Sequence, residues 1–306
     1  MSITDDPIRR QFSPDPRENV SDPFALDDPL GESYHQAVPR LIHQYSDRAL
    51  LLASGACAEY CRYCFRRVWL SAAPAFISNS ELEPALAYLA SHLEIREILV
   101  SGGDPLTGDN DRLRELFRAL RETRPGILLR ICTRVPVTLP SRLDDGTIAL
   151  LREFHPLRLA VQINHSRELA GHCRKVLAAC IAAGFPVLVQ TVLLRGVNDN
   201  AAVLAELVRN CLDLGLTPYY LFQLDLAPGT AHFRVPLKQG LAVYRELAAL
   251  LGDDCFAPPA YAVDLPGGGG KVLLGEDVIA GEKTTAAGRV YLLRDKQGKL
   301  WEYPAD

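Results

Sequence analysis

The chain has 306 residues, 48% of them hydrophobic and 23% charged, with a formal net charge of −4. That is enough apolar material for one barrel-sized core or two smaller ones. The slight negative charge excludes a polycationic footprint for nucleic acid or anionic membrane, and no apolar run reaches the ~18 residues of a membrane span. The expectation is a soluble, cytoplasmic protein acting on small polar ligands.

Residues 1–45 are rich in Asp and Pro with little apolar periodicity, the composition of an irregular N-terminal arm without a core of its own. From residue 46 short apolar runs alternate with amphipathic ones. Strands are expected at 49–53, 97–100, 127–132, 158–163, 187–193 and 219–224, and helices at 81–92, 111–123, 145–154, 167–183, 200–214 and 237–251. Near-continuous apolar strands separated by such helices imply parallel βαβ units buried on both faces. Over 46–251 these units make an α/β partial barrel, with an open doubly wound sheet as the competing topology. Polar and glycine-rich segments follow successive strands, which favours the barrel, whose chemistry gathers at strand C-termini. Residues 252–306 are first rich in Pro and Gly and then read as a hairpin over 289–303, turning at 295–298. They are expected to form a C-terminal appendage closing over the barrel.

The most informative stretch is 57–67, CAEYCRYCFRR. Its CxxxCxxC spacing brings the thiolates of Cys57, Cys61 and Cys64 together. A zinc ion wants four ligands, whereas a [4Fe-4S] cluster on three cysteines keeps one iron open. A zinc knuckle with an unseen fourth ligand, or three unrelated thiols, is the alternative. The other cysteines, Cys132, Cys173, Cys180, Cys211 and Cys255, sit singly in apolar or helical surroundings and read as plain thiols.

Ser101, Gly102, Gly103 and Asp104 follow the second strand, where glycine lets a ligand approach the backbone, although such turns are also common without one. DLPGGGGK at 264–271 departs from a phosphate-binding P-loop at Leu265 and Val272. Four consecutive glycines need a reason. A lysine on such a loop, once desolvated, is a nucleophile suited to pyridoxal phosphate (PLP); the plain alternative is a linker lysine.

The segments CRYCFRR, SGGDPL, TRVPVTLPSRL, VLLRGVNDN, PYYLFQLDLAPGTAHFR and VDLPGGGGK, in this order across roughly residues 40–305, resemble the lysine 2,3-aminomutase family of radical S-adenosylmethionine (SAM) enzymes. The resemblance implies a radical SAM partial (β/α)6 barrel with a [4Fe-4S] cluster, SAM and PLP, moving the α-amino group of L-lysine to the β-carbon. It implies that Cys57, Cys61 and Cys64 hold the cluster, and that Ser101, Gly102, Gly103, Asp104, Arg134 and Gln190 contact the cofactors. Lys271 would carry PLP, with Arg48 and Arg62 near its phosphate. Arg66 would bind the substrate α-carboxylate, and Asp225 and Asp264 the distal ammonium.

A guanidinium fork suits a carboxylate or phosphate, and two carboxylates around one ammonium select a cationic side chain. On the residues alone, Asp225 and Asp264 also read as turn caps, and Arg62 and Arg66 as surface charges. An external electron donor such as flavodoxin or ferredoxin is implied, and a homo-oligomer is compatible with the resemblance.

Two departures stand out. Gln162 stands where the family often has a histidine, and no cysteine follows Cys255, so a zinc-bridged tetramer is not implied. Rival readings are the same amino shift on arginine or ornithine, or for lysine modification of elongation factor P. Others are a SAM-cleaving enzyme without PLP, and an iron-sulfur or PLP-binding protein without turnover.

Overall fold

The computed structural model describes residues 6–72, 76–252, 254 and 256–306; Cys255 lies outside the described residues. Its strands, in chain order, are β1 (Gln36–Val38), β2 (Leu41–Tyr45), β3 (Arg48–Ser54), β4 (Glu97–Gly102), β5 (Leu128–Thr133), β6 (Leu157–Gln162), β7 (Val187–Val192), β8 (Thr217–Phe222), β9 (Ala260–Leu265) and β10 (Gly270–Leu273), followed by β11 (Ile279–Thr285), β12 (Gly288–Arg294) and β13 (Leu300–Pro304). Among the described residues β1 to β10 form one sheet in sequential order, parallel from β3 through β9 and antiparallel at β1, β2 and β10.

Each parallel step is crossed by a helix: Asn79–Ser91, Asn110–Thr123, Asp145–Arg152, Gly171–Ala182, Ala201–Asp213 and Leu237–Gly252. Short polar side chains set where several of them begin. Asp109, Asp144 and Asn200 accept backbone N–H groups of the first turns at 2.9, 2.7 and 2.9 Å. The strands supply the other half of the core: Ile98, Val100, Leu129, Ile131, Leu159, Val161, Val187 and Val189 are all buried. Sequential parallel order with helices packed outside wraps the sheet into an open α/β barrel. Its two ends approach one another where the Tyr45 hydroxyl accepts the Lys271 N–H at 3.0 Å.

The sheet runs past both boundaries expected from composition. Residues 36–45 add β1 and β2 ahead of the first parallel strand, and β9 and β10 extend it beyond residue 252. The hairpin of β12 and β13 gains a third strand, β11. β1, β2, β9 and β10 are only three to six residues long, and β9, though apolar and buried, lies between Pro- and Gly-rich stretches that mask it in the local pattern.

The arm is irregular but docked. Its carboxylates find arginines at the barrel mouth: Asp6 pairs with Arg167, Glu18 with Arg62 and Arg67, Asp22 with Arg234 and Glu32 with Arg66. An Asp- and Glu-rich segment that cannot build a core is thus held by charge complementarity.

A helix expected across 167–183 is instead split. Ser166–Leu169 forms a 3-10 turn, Ala170 is extended at φ −112 and ψ 165, and the helix proper is Gly171–Ala182. The break lets the Glu168 side chain turn inward, where its Oε1 accepts from Gln11 and Arg134 and its Oε2 from the Asn164 N–H.

Candidate active site

The C-terminal ends of the parallel strands and the bore beneath them enclose a cavity of about 540 Å³, within the range of small-molecule sites. Arg48, Cys57, Cys61, Cys64, Arg66, Ser101, Gly102, Gly103, Asp104, Arg134, Gln190, Asp225, Asp264 and Lys271 all line it. Strand C-termini account for only part of that set. Arg48 opens β3 and Tyr219 lies near the start of β8, so the cavity continues down the bore, past the small side chains of Ala49 and Ala160.

Arg62 is not part of the lining among the described residues. Its guanidinium forms a fork with Glu18 of the arm, while its backbone N–H bonds Gln11 O at 2.8 Å. The expectation that Arg62 approaches a PLP phosphate therefore finds no support here, because the arm supplies the counter-charge first. Arg48 does line the cavity, with its fork taken by the adjacent Asp47 at 2.8 and 3.0 Å.

The three cysteines sit on the loop after β3. Burial pushes the Cys57 and Cys64 thiols up to about 12, and Cys61 is also raised by burial, against the pull of Arg134. A bound metal would offset that burial and hold the thiols as thiolates. Among the described residues no group of three His, Cys, Asp or Glu side chains is placed to hold a single metal ion. Three cysteine thiols on one loop at the cavity are the donor set that would hold a [4Fe-4S] cluster. Cys132, read as a plain thiol, also borders the cavity, from β5.

Gly102 closes β4, and Gly103 just beyond it serves loop packing before any ligand. The Gly103 N–H donates to Ser54 O at 2.5 Å and the Asp104 N–H to Ala56 O at 2.7 Å, and a Cβ on Gly103 would run into the Ala56 carbonyl. These bonds press the turn against the chain leading into the cysteine loop. The Asp104 carboxylate is consumed as well, accepting from Thr133 Oγ1 at 2.8 Å and from the N–H groups of Arg134 and Val135 at 2.6 and 3.0 Å. It ties the β4 and β5 loops together rather than standing free for an amino group.

The spacing of seven between Asp264 and Lys271 has a structural reason. The two are direct cross-strand partners in the β9–β10 hairpin, with residues 266–269 as its turn. Lys271 Nζ lies 2.6 Å from Asp264 Oδ2 and 4.0 Å from the Phe222 ring centroid, with Tyr220 also beneath it at 5.3 Å. The glycines make a fixed tight turn rather than a flexible tether. Gly267, Gly268 and Gly270 have φ of 69°, 95° and 77°, and a Cβ on Gly269 would lie 2.6 Å from Leu265 Cβ and 2.7 Å from the Trp301 ring. Gly269→Ala is expected to destabilise the fold by about 1–3 kcal/mol through overpacking. Thermal melting of the variant checks this, and an unchanged melting temperature would show that Trp301 yields freely.

Asp225 follows β8 and stands half-buried in the cavity wall. Burial, reinforced by the neighbouring Asp264 carboxylate and opposed by Lys271, pushes its carboxyl up to about 8. Arg66 donates from Nη1 to Ser101 Oγ at 3.2 Å and forms a fork with Glu32, Nε to Oε2 at 3.0 Å. Glu32 was not legible as a site residue, since only docking of the arm brings it to the cavity. Tyr220 and Phe222 were not among the expected site residues either, although their alternate positions on the expected strand 219–224 put them on one face.

Comparison with known proteins supplies the lineage. The family model of the radical SAM superfamily matches residues 51–208. The chain is 43% identical over 302 residues to a Treponema pallidum (strain Nichols) protein provisionally named L-lysine 2,3-aminomutase, covering 97% of this chain and 83% of that relative. It belongs to the radical SAM superfamily and, within it, to the lysine 2,3-aminomutase family. Identity to the L-lysine 2,3-aminomutase of Bacillus subtilis (strain 168) is 34% over 298 residues, 97% of this chain and 62% of the relative. The Escherichia coli (strain K12) L-lysine 2,3-aminomutase is 40% identical over 249 residues, 81% and 72% of the two chains.

Solved radical SAM structures share the fold at low identity. A Sphaerobacter thermophilus radical SAM methyltransferase superposes with a TM-score of 0.54 at 20% identity, over 73% of this chain and 68% of that one. Streptococcus suis SuiB bound to S-adenosylmethionine gives 0.51 at 12% identity, over 73% and 48%. Like these, the chain is a radical SAM α/β partial barrel. As a member of its family it is an isomerase working with a [4Fe-4S] cluster, SAM and PLP.

Proposed function

We propose that this protein moves the α-amino group of L-lysine to the β-carbon, giving β-lysine. What carries the reading is the convergence on one cavity of three cysteine thiols, the Lys271 amine and the Asp225 and Asp264 carboxylates. When bound, the cluster with SAM supplies a 5′-deoxyadenosyl radical and PLP supplies a conjugated carrier for the migrating nitrogen.

In this reading Cys57, Cys61 and Cys64 hold the cluster, and the remaining polar surface of Ser101, Gly102, Gly103 and Gln190 faces SAM and PLP. Lys271 attaches PLP, with Arg48 at the same cavity. Arg66 takes the substrate α-carboxylate, displacing Glu32 from its fork, since both carboxylates need the same two N–H donors. Asp264 and Asp225 receive the distal ammonium; the Lys271 ammonium already marks such a cation position beside Asp264. Tyr220, Phe222 and Leu224 line the cavity and keep water from the reacting carbons. The electron comes from a low-potential protein donor such as flavodoxin or ferredoxin, in a reducing cytoplasm that keeps the ligand thiols free.

The test is anaerobic turnover of L-lysine by the reconstituted, reduced protein with SAM and PLP, read by mass spectrometry. β-Lysine supports the assignment. Formation of 5′-deoxyadenosine without β-lysine would retain the radical chemistry and reject lysine, leaving arginine and ornithine as the next substrates. Among the described residues no helix is long and apolar enough to cross a membrane.

Asp225 makes substrate binding pH-dependent. Its carboxyl is neutral below about pH 8, and an incoming ammonium favours the charged form, so binding releases a proton there. The apparent affinity for lysine is expected to rise about tenfold per pH unit up to that point and then level off. Asp225→Asn should flatten the profile, and a wild-type KM independent of pH below 8 would sink the assignment.

A further inference from the structure

Behind the cysteine loop lies a buried polar network that substrate chemistry does not use. Arg134, at the end of β5, donates from Nη1 to Cys61 Sγ at 3.0 Å and to the Tyr63 hydroxyl. From Nη2 it donates to Gln11 Oε1 at 2.6 Å and to Glu168 Oε1 at 2.8 Å. Its guanidinium also stacks on Phe12 and Tyr63, 4.7 and 5.3 Å from the ring centroids.

The partners are themselves pinned. Gln11 Nε2 donates to Glu168 Oε1 at 2.8 Å, and Asn164 Nδ2 donates to Gln11 Oε1 at 2.9 Å and to the Tyr63 hydroxyl at 2.7 Å. Glu168 is 0% exposed and Arg134 7% by side chain, so this is an ion pair taken almost wholly out of water.

We propose that Arg134 is a positioning residue that sets the cluster's reduction potential through its N–H···S bond to Cys61, with the Glu168 carboxylate as the opposing charge. The inference rests on the reading that Cys57, Cys61 and Cys64 hold the cluster. Reduction adds one negative charge to the cluster, much of it carried on the sulfurs. An N–H donor and a nearby cation stabilise that state and raise the potential. Reductive cleavage of SAM requires a low potential, so an uncompensated guanidinium at the sulfur works against it. Glu168 cancels the net charge while leaving the N–H in place, and the split of the 166–182 segment is what brings it there. The arm contributes Gln11, which bonds both members of the pair and fixes their orientation.

The test is an EPR-monitored dithionite titration of the full chain reconstituted with iron and sulfide, without lysine or PLP. Dithionite supplies one electron per cluster and no bond is made or broken. Arg134→Met is expected to shift the midpoint to more negative potential, and Glu168→Gln to more positive potential. A merely structural pair predicts no ordered shift, and midpoints that stay put or move in the same direction overturn the proposal. Tyr63→Phe keeps both charges and removes a competing acceptor for Nη1; it is expected to shift the midpoint to more positive potential. That variant decides the matter should a charged-residue variant fail to load a cluster. A wild-type protein that takes up no cluster overturns the functional reading and this inference together, whereas a loaded cluster with unmoved midpoints overturns this inference alone.

Discussion

Lys271→Ala is expected to abolish the amino shift and to remove the visible absorbance of lysine-bound PLP. The chain has six lysines, and Lys271 and Lys296 are the ones that line the cavity among the described residues. Lys271 sits on a strand, opposite Asp264 and over Phe222, so its amine is held at a defined place. Lys296 lies in the turn between β12 and β13. Removing the Lys271 side chain leaves a mostly buried Asp264 carboxylate beside Asp225 without its cation, a cost of about 1–3 kcal/mol that thermal melting reads. Absent activity in a variant that still melts cooperatively places the loss in the chemistry. Borohydride trapping followed by peptide mass spectrometry reads the attachment site directly. A label on Lys296 would sink the Lys271 assignment.

Single alanine substitutions of Cys57, Cys61 or Cys64 are expected to have an effect of the same size by a different route. Three thiolates leave one iron open for SAM; two leave a second iron without a protein ligand, and the cluster is lost or degraded. Iron content, the EPR signal of the reduced cluster and 5′-deoxyadenosine formation should all fall to background, with or without lysine present. Cys132→Ala is the informative control, because Cys132 borders the same cavity and its thiol is pushed up to about 11 by burial. It should keep iron and SAM cleavage. Loss of the cluster in that variant would mean a fourth cysteine ligand, and the open-iron reading would fall.

Much of the barrel is legible before folding. Strands such as β4 and β7 are built on the short apolar runs 98–100 and 187–189, and the helices 110–123 and 145–152 carry aspartate caps, so local pattern and local chemistry agree there. The cysteine spacing and the DLPGGGGK loop likewise point to their chemistry from residue type alone. The flanking strands are less legible, since β1, β2 and β10 are short segments that exist because a sheet edge is waiting for them.

The same division runs through the site. Residue types and spacings determine that three thiols share one loop and that an aspartate precedes the lysine by seven positions. Only the tertiary structure decides what each charged group faces. Arg62 and Arg66 are four residues apart on one loop, yet one is claimed by Glu18 outside the cavity and the other by Glu32 within it. Asp104 reads as a ligand to the eye and becomes a clamp between two loops, while Glu168 reads as helix surface and becomes the buried counter-charge of Arg134. The physical reason is range. Backbone preference and apolar period act over a few residues and are written in the sequence, whereas the pairing of charges depends on which distant segments the closed barrel brings within a few ångströms.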